Sequence, residues 1–240
     1  MIILSFTDID RLSQWNEVFP ALESGLVSLD RGDSIQPVRQ GLEIGDHGMF
    51  LSMPAILDNK FAIVKSLATS DRYNPSIQGT CILYDLSTGT PIALLDAQSV
   101  TLWRTAAVSA IATKLLARRD AHRLGIVGTG NLVVPHIAAI SQVRPLSCIS
   151  VWGRDNAKVQ KLCCEIEEQF RVRVIACRTP EDVAASSDMI STLTPGIEPL
   201  LLRDAVKAGT HINAVGAHAA NRREIDVELV AIARCYIDFK

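Results

Sequence analysis

The chain reads as an α/β protein in two parts, a doubly wound parallel sheet preceded by a smaller α+β domain, and three observations predict this. Residues 123–140, RLGIVGTGNLVVPHIAAI, pass from an apolar run through Gly128, Thr129 and Gly130 into an apolar segment at helical spacing, giving the order strand, tight turn, helix. From Cys148 onward, short apolar runs alternate with helix-length segments, the pattern of parallel strands joined by crossovers. The first hundred residues, in contrast, are mostly strand-length runs after one amphipathic helix. A length of 240 residues accommodates two modest domains, and a hydrophobic content of 48% suits packed cores.

Taken in order, residues 1–5 suit a short strand, and Thr7 or Asp8 is placed to cap the helix that follows. Its apolar positions Ile9, Leu12, Trp15, Val18, Phe19, Leu22 and Leu26 recur at helical spacing, with an interruption expected near Pro20. After a turn at Gly32 and Asp33, residues 35–39 are expected to be extended, because Pro37 biases its neighbour away from helix. Strands are expected at 48–53, 61–67, 80–85 and 91–96, the last two joined by a loop whose Gly89 suits a hairpin. From Ala97 the period changes: Val100, Trp103, Ala107, Ala110, Ile111 and Leu115 share one face of a long, alanine-rich helix. The domain boundary belongs in the polar link 118–122 or within this helix, giving domains 1–118 and 119–240. Beyond the glycine turn, strands are expected at 148–152, 172–176, 189–193, 211–215 and 234–238, with helices at 156–170, from Thr179, and at 200–207 and 226–233.

A net charge of -2 and a pI near 6.2 give no electrostatic case for nucleic acid or an anionic membrane. The opening MIILSFTDID lacks the basic region of a signal peptide, and no apolar run approaches membrane length. The cysteines at 81, 148, 163, 164, 177 and 235 show neither C-x-x-C nor Cys/His ligand spacing, which reads as reduced thiols in a cytoplasmic protein without a metal site.

The glycine turn is the opening of a Rossmann-type dinucleotide-binding unit. Gly128 permits the tight turn and Gly130 lets the backbone approach a pyrophosphate. The helix beginning near Asn131 and Leu132 points its N–H groups at that anion. Val133 occupies the third glycine position of the fingerprint. Where an acidic residue would hold a ribose 2′-hydroxyl, the sequence has Gly153 and Arg154, which leave room for a 2′-phosphate and supply a partner for it. This favours NADP(H) over NAD(H); the alternative is a solvated surface arginine. The other strand ends on the ligand side of such a sheet are Thr192 to Pro195 and Val215, Gly216, Ala217 and His218. The hydroxyls of Thr192 and Thr194 are candidates for the nicotinamide half of the cofactor, or else parts of a capped turn before Pro195.

The strand-rich half supplies cations. Lys65 interrupts the apolar run Ile63-Val64 to Leu67, Arg104 lies in the alanine-rich helix, and Arg39 follows a proline-containing extended segment. A cation on an apolar element is costly unless it meets an anion, and three of them suggest a pocket for a carboxylate, with Arg39 or Arg104 able to bind it in bidentate fashion.

The run 83–110, LYDLSTGTPIALLDAQSVTLWRTAAVSA, together with the G-T-G turn and 215–226, VGAHAANRREID, resembles the ornithine cyclodeaminase and mu-crystallin family over essentially the whole chain. The resemblance implies an N-terminal α+β substrate and dimerisation domain, a Rossmann-type domain with a nicotinamide cofactor, amino or imino acid substrates, and a homodimer formed through the N-terminal domain. By position, Arg39, Lys65 and Arg104 match the family's substrate-carboxylate residues, and Thr80 matches a hydroxyl residue near the nicotinamide. Two positions depart from the ornithine-cyclising lyases: Leu51 stands in place of a glutamate, and His218 in place of the acid-base aspartate. His218 is then a candidate proton donor, since imidazole titrates near neutral pH, or a turn residue beside the cofactor. His47, His122, His136 and His211 carry no motif and read as structural or exposed. Family members also continue past the segment matching 234–238 and return a helix to the first domain; with the given sequence ending at Lys240, the expectation is either an abbreviated domain interface or a fragment of a longer chain.

The expected activity is NAD(P)H-dependent reduction of a small imino acid, of the cyclic ketimine or pyrroline carboxylate type, or the reverse amino-acid oxidation, with Lys65 and His218 as catalytic candidates. The alternatives are an ammonia lyase with an internally recycled cofactor and a non-catalytic NADPH-binding protein.

Overall fold

Two hydrogen bonds decide where the first helix begins: the Ser5 hydroxyl accepts from the Asp8 N–H (3.3 Å), and the Asp8 carboxylate accepts from the Ser5 N–H (3.0 Å). The cap is therefore Ser5 rather than Thr7 or Asp8. The computed structural model describes residues 1–70, 72–217 and 221–238. In it, β1 (Ile2–Leu4) leads to α1 (Phe6–Leu12) and α2 (Trp15–Arg31). The helical break falls at Ser13 and Gln14 rather than at Pro20, which lies within α2. Gly32, with φ 80°, ends α2 in the left-handed conformation.

Next come β2 (Gln40–Glu43), β3 (Gly48–Leu57), β4 (Phe61–Ser70), β5 (Ile77–Asp85) and β6 (Thr90–Asp96). Among the described residues they form a six-stranded sheet in the order β1-β6-β5-β4-β3-β2, antiparallel except that β1 runs parallel to β6. Residues 35–39 form no strand; Ile35 pairs with Ile56 alone, and regular pairing starts at Gln40. Strand β3 passes through Pro54 because pairing with β2 ends at Ser52, so the proline nitrogen faces a side where no ladder bond is needed. The β3–β4 turn places Asp58 and Asn59 in left-handed backbone (φ 51° and 54°), which these two residue types tolerate. Asp58 is tied to the end of α2: its carboxylate accepts from Ser28, and its N–H donates to Ser34 Oγ at 3.0 Å.

One face of this sheet is a core. Leu51, Leu67 and Cys81 pack on Ala97, with Met53, Ile63, Leu95 and Val100 around them. On the other face the cross-strand row Ile3, Leu94, Ile82, Val64 and Pro54 contains no buried residue, and Ile3 is 68% exposed.

Helix α3 (Ala97–Leu116) follows, and the chain divides into two compact units, Met1–Arg104 and Thr105–Lys240, within it. Its buried side is built from small residues, Ala106, Ala107 and Ala110, with Ile111; Leu115, expected on that side, is 69% exposed.

The second unit alternates β7 (Arg123–Val127), α4 (Val133–Ser141), β8 (Cys148–Trp152), α5 (Asn156–Phe170), β9 (Arg173–Ala176), α6 (Pro180–Ser186), β10 (Met189–Thr192), β11 (His211–Ala214) and α7 (Val227–Ile232). All described strands are parallel, in the order β11-β10-β7-β8-β9, so strand order reverses between β7 and β10. Leu124, Ile126, Ile149, Val151 and Ile190 are all buried, as expected for strands covered on both faces. At the amino ends of β7 and β10, the buried Asp188 carboxylate accepts from Arg123 Nη2 (2.8 Å) and Nε (3.2 Å) and from the N–H groups of His122 and Arg123 (3.3 and 3.1 Å).

Two expected elements do not form. The helix at 200–207 is only a single turn, Arg203–Ala205. Its first residues are used elsewhere: the N–H groups of Leu200 and Leu201 donate to Glu224 O, and Leu201 O accepts from Asp226 N–H. The strand expected at 234–238 gains no ladder, and Tyr236 and Ile237 stay exposed.

Candidate functional site

The register of the first sheet places Lys65 on its core face. Met53 lies opposite Lys65, Lys65 opposite Cys81, and Cys81 opposite Leu95, so one cation stands in a row of apolar side chains. Arg39 immediately precedes β2, whose register, continued by one residue, sets it opposite Met53. Ala97, Val100, Thr101 and Arg104 follow one another along a stripe of α3, and Ala97 and Val100 of that stripe pack on this same core. Burial pushes the Lys65 ammonium down to about 8, and repulsion from Arg104 and Arg39 adds to the effect. Burial likewise pushes the Cys81 thiol up, keeping it neutral. Among the described residues no carboxylate forms an ion pair with Lys65.

The three predicted cations are thus brought together, with one correction. Lys65 is half-buried, but Arg39 and Arg104 are both exposed rather than withdrawn from water. Arg39 adjoins an edge strand whose residues are all exposed, and Arg104 precedes the alanines through which α3 enters its core. Thr80 does not join them. It neighbours Cys81 in sequence, so strand alternation sets it on the opposite face, exposed, across from Ser66 and Asp96.

In the second unit, four strand ends meet at the carboxyl edge of the sheet. Gly128 has φ 133° and donates its N–H to Trp152 O at 2.8 Å; a Cβ there would lie 2.8 Å from Leu193 O. A Cβ on Gly153 would lie 2.5 Å from the Thr129 methyl, so the end of β8 packs directly on the glycine turn. A Cβ on Gly216 would overlap the Thr194 backbone, which joins the ends of β10 and β11. Gly130 is different: its φ is not positive and nothing lies within 4 Å of the place a Cβ would take. Asn131 and Leu132 lead into α4, whose N-terminus has no side-chain cap, while Val133 is fully buried and serves helix packing in place of the third glycine. Arg154 is exposed, and the adjacent Asp155 is committed to capping α5 through the Lys158 N–H (3.2 Å).

A residue absent from the sequence-based expectation organises this edge. Glu224 is 2% exposed, and its carboxylate accepts five hydrogen bonds from the described residues. Oε1 takes the Thr194 N–H (2.8 Å) and hydroxyl (2.7 Å); Oε2 takes the Thr192 hydroxyl (2.9 Å) and the N–H groups of Gly216 (2.7 Å) and Ala217 (3.1 Å). The Thr192 and Thr194 hydroxyls therefore donate to Glu224 rather than toward an open cleft, and Thr192 is fully buried. Val215 is half-buried, its N–H on Thr192 O at 3.1 Å. His218 lies outside the described residues. Glu224 lies within the run 215–226, but its role is not legible there, because its partners stand up to 32 residues away in sequence. His136, expected to be structural, is buried between Leu132 O (2.7 Å) and Ser109 Oγ (3.1 Å).

The sequence matches the model of the ornithine cyclodeaminase/mu-crystallin family over residues 1–240. The ketimine reductase mu-crystallin of Mus musculus is 34% identical over 238 residues, spanning 95% of this chain and 75% of the mouse protein. Among solved structures, the delta(1)-pyrroline-2-carboxylate reductase of Thermococcus litoralis in complex with NADH and L-proline aligns with a TM-score of 0.91 at 29% identity, over 96% of this chain and 73% of that one. An archaeal alanine dehydrogenase dimer with bound NAD also aligns with a TM-score of 0.91, at 27% identity over 98% of this chain and 73% of that one. These relatives include nicotinamide-dependent reductases of C=N bonds. The chain belongs to the ornithine cyclodeaminase/mu-crystallin family.

Proposed function

We propose that the protein is an NAD(P)H-dependent reductase of a small imino acid, of the cyclic ketimine or pyrroline carboxylate type, or the reverse amino-acid dehydrogenase. The observation that carries this reading is Lys65, a cation on an apolar sheet face beside Arg104 and Arg39, an arrangement that an incoming carboxylate relieves. Neutralising the carboxylate also removes a negative charge that would oppose arrival of a hydride at the adjacent carbon.

The carboxyl edge of the second unit fits a nicotinamide dinucleotide. Gly130 needs no glycine for its own fold, yet a side chain there would fill the space beside an uncapped helix N-terminus where a pyrophosphate belongs. When bound, the cofactor supplies the hydride. The Gly128–Leu132 turn holds the pyrophosphate, and Val215 and Gly216 line the nicotinamide side, with Thr192 and Thr194 contributing through backbone shape. Arg154 selects NADP(H) over NAD(H), since the carboxylate next to it in sequence, Asp155, is occupied by its helix. His218 is assigned the proton for the imine nitrogen, and Lys65, held near 8, is acidic enough to serve the same step. Position 51 favours reduction over the lyase reaction: Leu51 is buried in the core beside Leu67 and Cys81, with no carboxylate to hold a side-chain amine.

The uncovered apolar row on the far face of the first sheet supports a homodimer through this unit. All six cysteines are free thiols, in keeping with a cytoplasmic protein. No helix among the described residues is long and apolar enough to cross a membrane.

The test is oxidation of NADPH, with NADH in parallel, against a panel of cyclic and acyclic imino acids. Turnover that requires a substrate carboxylate and collapses in Arg104→Ala is expected, as is loss of the NADPH preference in Arg154→Ala. Cofactor binding without oxidation of NADPH or NADH by any imine would refute the reductase.

A further inference from the structure

We propose that Glu224 is a positioning residue that sets the spacing of the two backbone segments on the nicotinamide side of the dinucleotide cleft. The proposal rests on the reading of the carboxyl edge as a dinucleotide site. Glu224 is a buried carboxylate with no ion pair among the described residues, and among those residues it is met by oriented dipoles: three backbone N–H groups and two hydroxyls, at 2.7 to 3.1 Å. Burying a carboxylate is costly unless hydrogen bonds compensate it, so all five donors are drawn onto two oxygen atoms. The donors come from two separate stretches. Thr192 and Thr194 belong to the end of β10, flanking the point where strand order reverses, and Gly216 and Ala217 follow β11. The two stretches are already in backbone contact, since Gly216 has no room for a side chain beside Thr194. Glu224 thus closes a clasp across β10 and β11. The glycine turn with Gly153 and Arg154 lies on the other side of the switch point, at β7 and β8, and among the described residues none of its groups hydrogen-bonds to Glu224.

This asymmetry gives a test that activity is not needed to read. Glu224→Gln keeps the shape but turns one acceptor oxygen into an amide donor that faces at least two N–H or O–H groups. Dissociation constants for NADPH and for adenosine 2′,5′-bisphosphate, which carries only the adenosine half, are measured on the folded full chain by cofactor fluorescence and calorimetry. The expected result is a split: NADPH binding weakens by about tenfold or more, while adenosine 2′,5′-bisphosphate binding stays within about twofold of the wild type. Thr194→Val, which removes one hydroxyl from the clasp, is expected to show the same split more weakly and decides the matter if the glutamine variant does not fold. Equal weakening of both ligands would mean a general structural role and overturn the proposal, as would wild-type affinity for both. A wild-type protein that binds neither NADPH nor NADH would instead overturn the dinucleotide reading beneath it.

Discussion

Replacing Lys65 with methionine is expected to make the protein more stable and less able to bind its substrate. The lysine is lowered from 10.5 to about 8, first by burial and then by Arg104 and Arg39. At about 1.4 kcal/mol per pH unit, that depression corresponds to about 3 kcal/mol of penalty carried by the folded state while the group is charged. Methionine has similar length, carries no charge, and suits a row formed by Met53, Cys81 and Leu95. Allowing for the half-buried position, the net gain at pH 7 is about 2 kcal/mol, or a rise in Tm of about 4 to 8 °C for a chain of this size. The sign of the pH dependence is fixed as well. Below about 8 lysine is charged in both states, so the whole penalty is present. Between about 8 and 10.5 the folded protein has released the proton and the unfolded chain has not, so the wild type gains stability as pH rises. The advantage of Lys65→Met should therefore be largest at pH 7 and shrink toward pH 10, as read by chemical denaturation at both values. The same variant should raise KM for a carboxylated imine by about tenfold or more, through loss of a charge-assisted contact. A variant no more stable than the wild type at pH 7, or an advantage that grows with pH, would refute the argument that this cation is held against its own solvation.

Three further outcomes are expected. Gly130→Ala should leave Tm within about 1 °C of the wild type, because nothing lies near the added methyl, yet weaken dinucleotide binding by about tenfold or more; calorimetry and thermal melts read the two effects separately. Asp188→Asn should cost about 3 kcal/mol in denaturant at neutral pH. Arg123 holds the Asp188 carboxyl well below the usual carboxylate range, so its contribution is full above that range, fades as pH falls through it, and the wild type and variant should converge in acid. Val64→Glu, on the uncovered apolar row, should convert a dimer to a monomer by light scattering while dinucleotide binding persists.

The parts of the site that could be read from the sequence are those whose cause is local. A lysine set in Ile63-Val64 to Leu67 is anomalous on any strand, and the run from Val127 through Gly128 declares a turn by glycine chemistry. The parts that could not be read depend on partners far along the chain. Residues 200–207 have helical composition, but Leu200 and Leu201 give their N–H groups to Glu224 O, and no local pattern announces that competition. For the same reason Thr192 and Thr194 have the local pattern of ligand-facing hydroxyls, whereas in the fold both donate to Glu224. The exposure of Arg104 does not follow from its apolar neighbours: the helix around it buries its alanines and leaves the arginine outside.

The turn at Asp58 and Asn59 also determines which chemistry the sheet offers. Side chains alternate along a strand, so slipping the β3–β4 pairing by one residue would carry Lys65 to the far face and bring Val64 or Ser66 into the row of Met53 and Cys81. Two left-handed residues fix the length of that turn, and Ser28 and Ser34 fasten Asp58 to the end of a helix. A misregistered hairpin would keep nearly the same number of backbone hydrogen bonds and nearly the same apolar composition, yet present a face without its cation. If Lys65 serves as proposed, fidelity of strand pairing at a tight corner that need touch no substrate is a condition of catalysis, and damage there would be seen as folded protein with little activity rather than as unfolded protein.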